Sequence, residues 1–253
     1  MHQRTVIIPA AGLGNRLRPI TDHKPKALVE VDGRPMILTT TSALAAQGHT
    51  RELVVVVGYR GDDIEEAVRA QNLPFPVSFV RNDRFAETNS IVSVALTQDY
   101  WRDGFVLIDS DIWFSPELLD PLFSLTQSTL LIDARIPPEK IDMKVSIRDG
   151  RIWDLDKQQV QDPVSGEFFG MSYVSPDFGQ VLGVEMRRQI EAGHEDVWYE
   201  YALREVARTQ VLQPWYLDAD HAWTEVDTAA DLELANGIVR RHRERSESVL
   251  NGA

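Results

Sequence analysis

Apolar positions follow two regimes along the chain. In the first half, short continuous apolar runs alternate with stretches whose apolar residues recur every three or four positions. Residues 5–9, 53–57, 77–80 and 105–108 are runs of strand length. Between them, residues 35–47, a segment opened by Asp62-Asp63 with Ile64 and Val68 four apart, and residues 89–96 read as helices. Gly48 is the stop signal of the first helix, and the acidic pair suits the start of the second. Continuous strands alternating with amphipathic helices predict an α/β fold with a mostly parallel mixed sheet and helices on both faces. Ligands of such sheets lie beyond the carboxyl ends of the strands, which puts residues 10–18, Gly58, Asn82 and residues 109–111 along one rim.

After residue 129 the pattern changes. Residues 143–147 and 151–155 alternate in period two around Asp149-Gly150, a two-residue hairpin signal. Residues 166–174 read as a strand, 175–192 and 197–208 as helices, and 211–215 as a last strand. A charged helix then runs from Thr228 into a polar tail. No repeat or linker interrupts the chain. One domain over residues 1–245 is expected, with a small β-hairpin insertion and a disordered tail over 246–253.

Composition narrows the classes. With 253 residues, 43% of them hydrophobic, the chain can bury a sizeable core. Its apolar runs are far too short to cross a bilayer, and the amino-terminal residues carry no signal-like apolar core. There are no cysteines, so disulfides and thiolate metal sites are excluded, and a cytoplasmic protein without a membrane partner is expected. A net charge of -13 argues against a nucleic-acid partner. Anionic ligands would then need local basic clusters and a divalent cation.

Such a cluster follows the first strand. In the segment from Gly12 to Pro19, Gly12 and Gly14 let backbone amides approach an anion, and Arg16 and Arg18 add charge. A dinucleotide fingerprint would want glycine where Leu17 stands, and a P-loop would need Gly-Lys-Ser/Thr, so neither is present. Lys24-Pro25-Lys26 comes next. The proline imposes an extended backbone that can hold the Lys26 ammonium in place, as in-line attack at an α-phosphate requires. Further along, Asp109 and Asp111 fall two apart at a strand end and can face one cation, while Asp227 is either a second ligand or a helix cap.

Pro9-Ala-Ala-Gly-Leu-Gly-Asn-Arg-Leu-Arg-Pro, Lys24-Pro-Lys-Ala-Leu-Val-Glu-Val and Gly33-Arg-Pro-Met-Ile together resemble the amino-terminal signature of the nucleotidyltransferases that activate sugar phosphates and phosphocholine. The family usually has leucine where Pro9 stands. The resemblance implies a Rossmann-like fold of the nucleotide-diphospho-sugar transferase kind. Residues 1–128 would form the nucleotide-binding part, 129–220 the acceptor-binding part, and 221–245 the metal motif and last helix. It implies Mg2+ held by Asp111 and by Asp227, which stands in a Glu-hydrophobic-Asp-Thr motif, with Asp109 beside them. Lys26 and Arg16 would be catalytic. Ala10, Ala11, Gly12, Gly14, Asn15, Gly58, Asn82, Asn89 and Ser90 would join them in binding the nucleotide.

The segment from Asn82 to Ser93 and Asp109-Ser-Asp resemble the phosphocholine cytidylyltransferase branch more than the sugar branch. CTP and a small phosphorylated or phosphonate acceptor are the partners this implies, with a homodimer left open. Trp198, Tyr199, Trp215, Trp223 and Tyr173 are candidates for an aromatic cage around an acceptor cation. Where phosphocholine enzymes carry tryptophan near the hairpin, this chain reads Ile141-Asp-Met-Lys-Val. Lys144 and Lys157 would therefore suit an anionic head better, whereas Glu195, Asp196 and Glu200 could meet an amine. The rival readings are a sugar-1-phosphate nucleotidyltransferase using UTP or dTTP, and a non-catalytic nucleotide sensor.

Overall fold

In the computed structural model, which describes residues 2–251, the apolar runs become the strands of one mixed sheet. β1 (Arg4–Ala10) is buried along nearly its whole length. A small hairpin, β2 (Glu30–Val31) and β3 (Arg34–Pro35), leads into α1 (Met36–Gln47), which Gly48 ends at φ 80°. β4 (Thr50–Val57), α2 (Gly61–Arg69), β5 (Val77–Arg81), α3 (Ser90–Ala95) and β6 (Phe105–Ile108) complete the alternating stretch. β5, β4, β1 and β6 lie side by side and parallel, so their carboxyl ends share one rim, as expected. Val6 and Ile8 face one core cluster with α1 and α2, while Ile7 faces another with α3. Successive side chains of a strand point to opposite faces, which is why helices are needed on both.

Beyond β6 the chain adds β7 (Ile112–Phe114), α4 (Leu119–Ser124), β8 (Thr129–Asp133), β9 (Lys144–Arg148), β10 (Arg151–Asp156) and β11 (Val164–Val174). After these come α5 (Pro176–Glu191), α6 (Tyr199–Ala207), β12 (Gln213–Tyr216), β13 (Trp223–Glu225) and α7 (Ala229–Asn251). β11 runs antiparallel to β6, β8 and β9, so this half of the sheet is antiparallel apart from the β12–β8 pair. The β9–β10 hairpin turns at Asp149 and Gly150, both with positive φ (51° and 75°), the conformation its sequence predicts.

One departure from the sequence pattern matters. β7 and β13 pair antiparallel, a contact between segments far apart in the chain that no local pattern signals. α7 is described to Asn251, and 252 and 253, the end of the tail expected to be disordered, lie outside the described residues.

Candidate active site

The loop after β1 is shaped by what lies behind it. Gly14 takes φ 63°, and a Cβ there would stand 3.0 Å from the Lys26 Cβ, so glycine lets the loop rest against the lysine. Thr21 Oγ1 donates to the Gly14 carbonyl at 2.8 Å. At Gly58 a Cβ would be 2.7 Å from the Ala11 carbonyl oxygen and from the Phe85 Cβ. Gly58, expected to meet the nucleotide, thus supports the loop and does not line the cleft. The cleft has a volume of about 480 Å³. Its lining includes Ala10, Ala11, Gly12, Gly14, Asn15, Arg16 and Lys26.

Asp111, Glu225 and Asp227 each bring a carboxylate oxygen within 4.8 Å of the others. The β7–β13 ladder causes this meeting, and the Val226 N–H donates to the Asp111 carbonyl at 2.9 Å. Lys26 Nζ donates to Asp111 Oδ2 at 2.7 Å and to Asp227 Oδ1, while Arg16 Nη2 reaches Asp227 Oδ2 at 2.5 Å. Burial opposes the charge on Lys26, but the two carboxylates outweigh it and lift its pKa above the ordinary lysine value. Burial likewise opposes the charge on Asp227, yet Lys26 and then Arg16 hold its pKa below the usual carboxylate range. For Glu225 the balance falls the other way: burial, then repulsion from Asp111 and Asp227, outweigh the attraction of Lys26 and Lys157 and push it up to about 9.

Magnesium fits these residues. It takes oxygen donors, usually carboxylates, and here the Lys26 ammonium already lies between two of them as a single positive charge. Glu225 is a carboxyl that a nearby divalent charge would ionise. Glu225 stands in the same motif as Asp227 but has no role among the expectations from the sequence. Its signal was the two-residue spacing to Asp227, which at a strand end favours a shared face.

A smaller recess, about 30 Å³ in volume, shares Asp109, Asp111, Lys157, Glu200 and Glu225 with the cleft and adds Asp142 and Glu167. Asp109 accepts from the Tyr199 hydroxyl at 3.1 Å. Burial first, then Glu200 and Asp111, push the Asp109 carboxyl well above its usual range. Burial also raises Glu200 and Glu167, each to about 7. Gly170, at φ 88°, leaves room for Asp109, because a Cβ there would collide with its carboxylate.

Other expected residues divide. Asn82, Asn89 and Ser90 line the cleft, yet their side chains are already engaged. Asn82 Nδ2 donates to Thr88 and Ser93, Asn89 Oδ1 accepts from the Ser90 N–H at 2.7 Å, and Ser90 Oγ accepts from the Tyr199 N–H at 3.0 Å. On the acceptor side Lys157, Trp198 and Tyr199 reach the cleft, but Lys144, Tyr173, Glu195 and Trp223 do not line it. Lys144 donates to the carbonyls of Ile141 and Lys157 at 3.1 and 2.7 Å, which pins the hairpin. The Tyr173 ring lies 3.7 Å under the Arg4 guanidinium. Glu195 is clamped by both Nη atoms of Arg84 at 2.7 Å. Trp223 stacks on Phe169 and donates to Asp133 at 2.8 Å, and Trp215 packs on His221. The pair of lysines expected to meet an anionic head is therefore not available as such: Lys144 is tied to backbone, and Lys157 pairs with Asp142 at 2.5 Å.

Fold and cleft together define an α/β protein that presents a glycine loop, a lysine and a carboxylate cluster at the carboxyl rim of a parallel half-sheet. The chain belongs to the MobA-like NTP transferase domain family, whose model matches residues 6–134. It is 38% identical over 115 residues to the 2-aminoethylphosphonate cytidylyltransferase of Lancefieldella rimae, covering 44% of each chain. It is 31% identical over 145 residues to a UTP–glucose-1-phosphate uridylyltransferase of Haloferax volcanii, covering 57% of each. Among solved structures, the CTP:phosphocholine cytidylyltransferase of Streptococcus pneumoniae shares the fold with a TM-score of 0.78 at 22% identity, covering 93% of this chain and 99% of that one. The chain spans between 20% and 57% of the length of these and other curated relatives it matches. Among the described residues no helix is long and apolar enough to cross a membrane.

Proposed function

We propose that the protein is a magnesium-dependent cytidylyltransferase that moves CMP from CTP onto a small phosphorylated or phosphonate acceptor. The observation that carries this is Lys26, held between Asp111 and Asp227 beside the glycine loop. An acceptor phosphate or phosphonate oxygen attacks the α-phosphorus of CTP, the bond to the β-phosphate oxygen breaks, and pyrophosphate leaves. The attacking oxygen is already ionised at neutral pH, so no general base is required. Lys26 offsets charge on the transferring group, and Arg16 with the amides of residues 12–14 binds the β- and γ-phosphates. Asp111, Glu225 and Asp227 would hold magnesium, which when bound neutralises phosphate charge. The likeness to the 2-aminoethylphosphonate cytidylyltransferase supports CTP and a phosphonate. The likeness to the uridylyltransferase favours a second reading, UTP or dTTP with a sugar 1-phosphate.

Pyrophosphate release with magnesium, measured across CTP, UTP, dTTP and GTP and paired with phosphocholine, 2-aminoethylphosphonate and glucose 1-phosphate, tests the reading. Turnover with CTP and one of the small acceptors is expected, and Lys26→Ala should lower kcat by about 100-fold or more. Turnover confined to UTP or dTTP with the sugar phosphate would establish the second reading instead.

A further inference from the structure

The recess beside the metal cluster holds more acid than phosphoryl transfer calls for. Asp111 and Asp227 have Lys26 and Arg16 as partners, and with Glu225 they would hold the cation. Asp109, Asp142, Glu167 and Glu200 lie outside that set. Three of these four are partnered: Asp109 by the Tyr199 hydroxyl at 3.1 Å, Asp142 by Lys157 at 2.5 Å, and Glu167 by the Asp142 N–H at 3.1 Å. Glu200 is only 7% exposed, lines both the cleft and the recess, and its Oε2 has no hydrogen-bond partner. A buried carboxylate oxygen left unpaired is costly, and a ligand that donates to it removes that cost.

Size and charge select the ligand group. A recess of about 30 Å³ has room for one group of roughly water size, such as a primary ammonium or a hydroxyl, but not for three methyl groups on nitrogen. The excess of carboxyls favours the cation. The larger seat for a cation, the face of Trp198, is already taken: the Lys157 ammonium lies 4.7 Å from the ring centroid while it pairs with Asp142. An ammonium on an aromatic face beside a carboxylate is the environment a bound quaternary ammonium would occupy.

We infer that this recess receives the free end of the acceptor, that it takes a primary ammonium donated to Glu200, and that Lys157 excludes a trimethylammonium by filling the face of Trp198. Lys157 is thus a specificity-determining residue. The inference rests on the acceptor half of the proposed function and adds the chemical class of its head group.

Calorimetric titration of the full chain with magnesium and three probes, phosphoethanolamine, phosphocholine and 2-hydroxyethyl phosphate, tests it. Phosphoethanolamine is expected to bind about tenfold tighter than either of the others, the preference a charged hydrogen bond supplies. Glu200→Gln should lower phosphoethanolamine affinity by about tenfold and leave 2-hydroxyethyl phosphate within about threefold. Lys157→Ala should raise phosphocholine affinity by about tenfold, because the aromatic face is opened, whereas Lys157→Met, which refills the space without charge, should not. Thermal midpoints establish that each variant is folded. Equal binding of phosphoethanolamine and phosphocholine by the unaltered protein overturns the inference, as does absence of phosphoethanolamine binding or identical behaviour of the Ala and Met variants. Titration with magnesium and CTP is read separately. If CTP binds and depends on Lys26 while the acceptor series fails, the recess is misassigned and the nucleotidyl reading stands.

Discussion

Lys26 and Glu225 stand on opposite sides of one competition between burial and neighbouring charge. Lys26 keeps its charge because two carboxylates outweigh its burial, whereas Glu225 is pushed to about 9 because burial and two like charges act together. Glu167 shows the same physics away from the metal cluster. Burial raises its pKa from 4.5 to about 7, so the folded state holds a proton that the unfolded chain has already released between those values. The stability this proton contributes is full below about pH 4.5 and is lost as pH rises through about 7. Glutamine keeps an oxygen for the Asp142 N–H, now at 3.1 Å, without the ionisation. Glu167→Gln is therefore expected to flatten the fall in thermal midpoint between about pH 4.5 and 7. A profile that still falls as steeply would show that Glu167 is not the group responsible.

At the scale of elements, glycines set how closely segments approach. Gly58 ends β4 directly beneath the loop that lines the cleft, with the Ala11 carbonyl and Phe85 both 2.7 Å from where a Cβ would be. Both neighbours are held, the Ala11 carbonyl by the Tyr59 N–H at 3.0 Å, so an added methyl must lift the loop. Gly58→Ala should cost about 1–3 kcal/mol in urea unfolding and weaken CTP binding together. A variant with unchanged stability would mean that the loop yields freely and does not hold a preformed anion site. The β9–β10 hairpin illustrates the opposite case, a turn whose local sequence suffices: Asp149 and Gly150 adopt the positive φ their order predicts.

The whole molecule decides where the carboxylates meet. β7 and β13 come from distant parts of the chain, and Leu17, Val29, Val31, Met36, Val226 and Ala235 form a small core beside them. That core joins the first loop, the β2–β3 hairpin and the last helix around one site. A divalent cation held by Asp111, Glu225 and Asp227 would join the β6–β7 turn to the end of β13 only in the folded state, and so would stabilise the fold by mass action. Magnesium at about 100 times its dissociation constant should add about 2.7 kcal/mol and raise the thermal midpoint. Asp227→Asn should remove most of that rise, and a variant that keeps it would place the cation elsewhere.

What the order of residues determines by itself is what depends on local pattern. The alternation of apolar runs and amphipathic stretches determines the parallel half-sheet, and with it the rim on which residues 10–18 and Asp109 to Asp111 fall. The Gly12–Arg16 loop, Lys26 and the Asp111 and Asp227 positions were legible for the same reason, since each lies in a motif read within a dozen residues. Tertiary structure decided the partners. Which aromatic reaches the cleft, why Lys144 is tied to backbone, and that Glu200 Oε2 is buried without a partner all depend on how β9, β10, β11 and α6 pack together. No local spacing encodes such contacts. Burial and charge at a site are properties of everything packed around it, and the chain brings those groups together only when it folds.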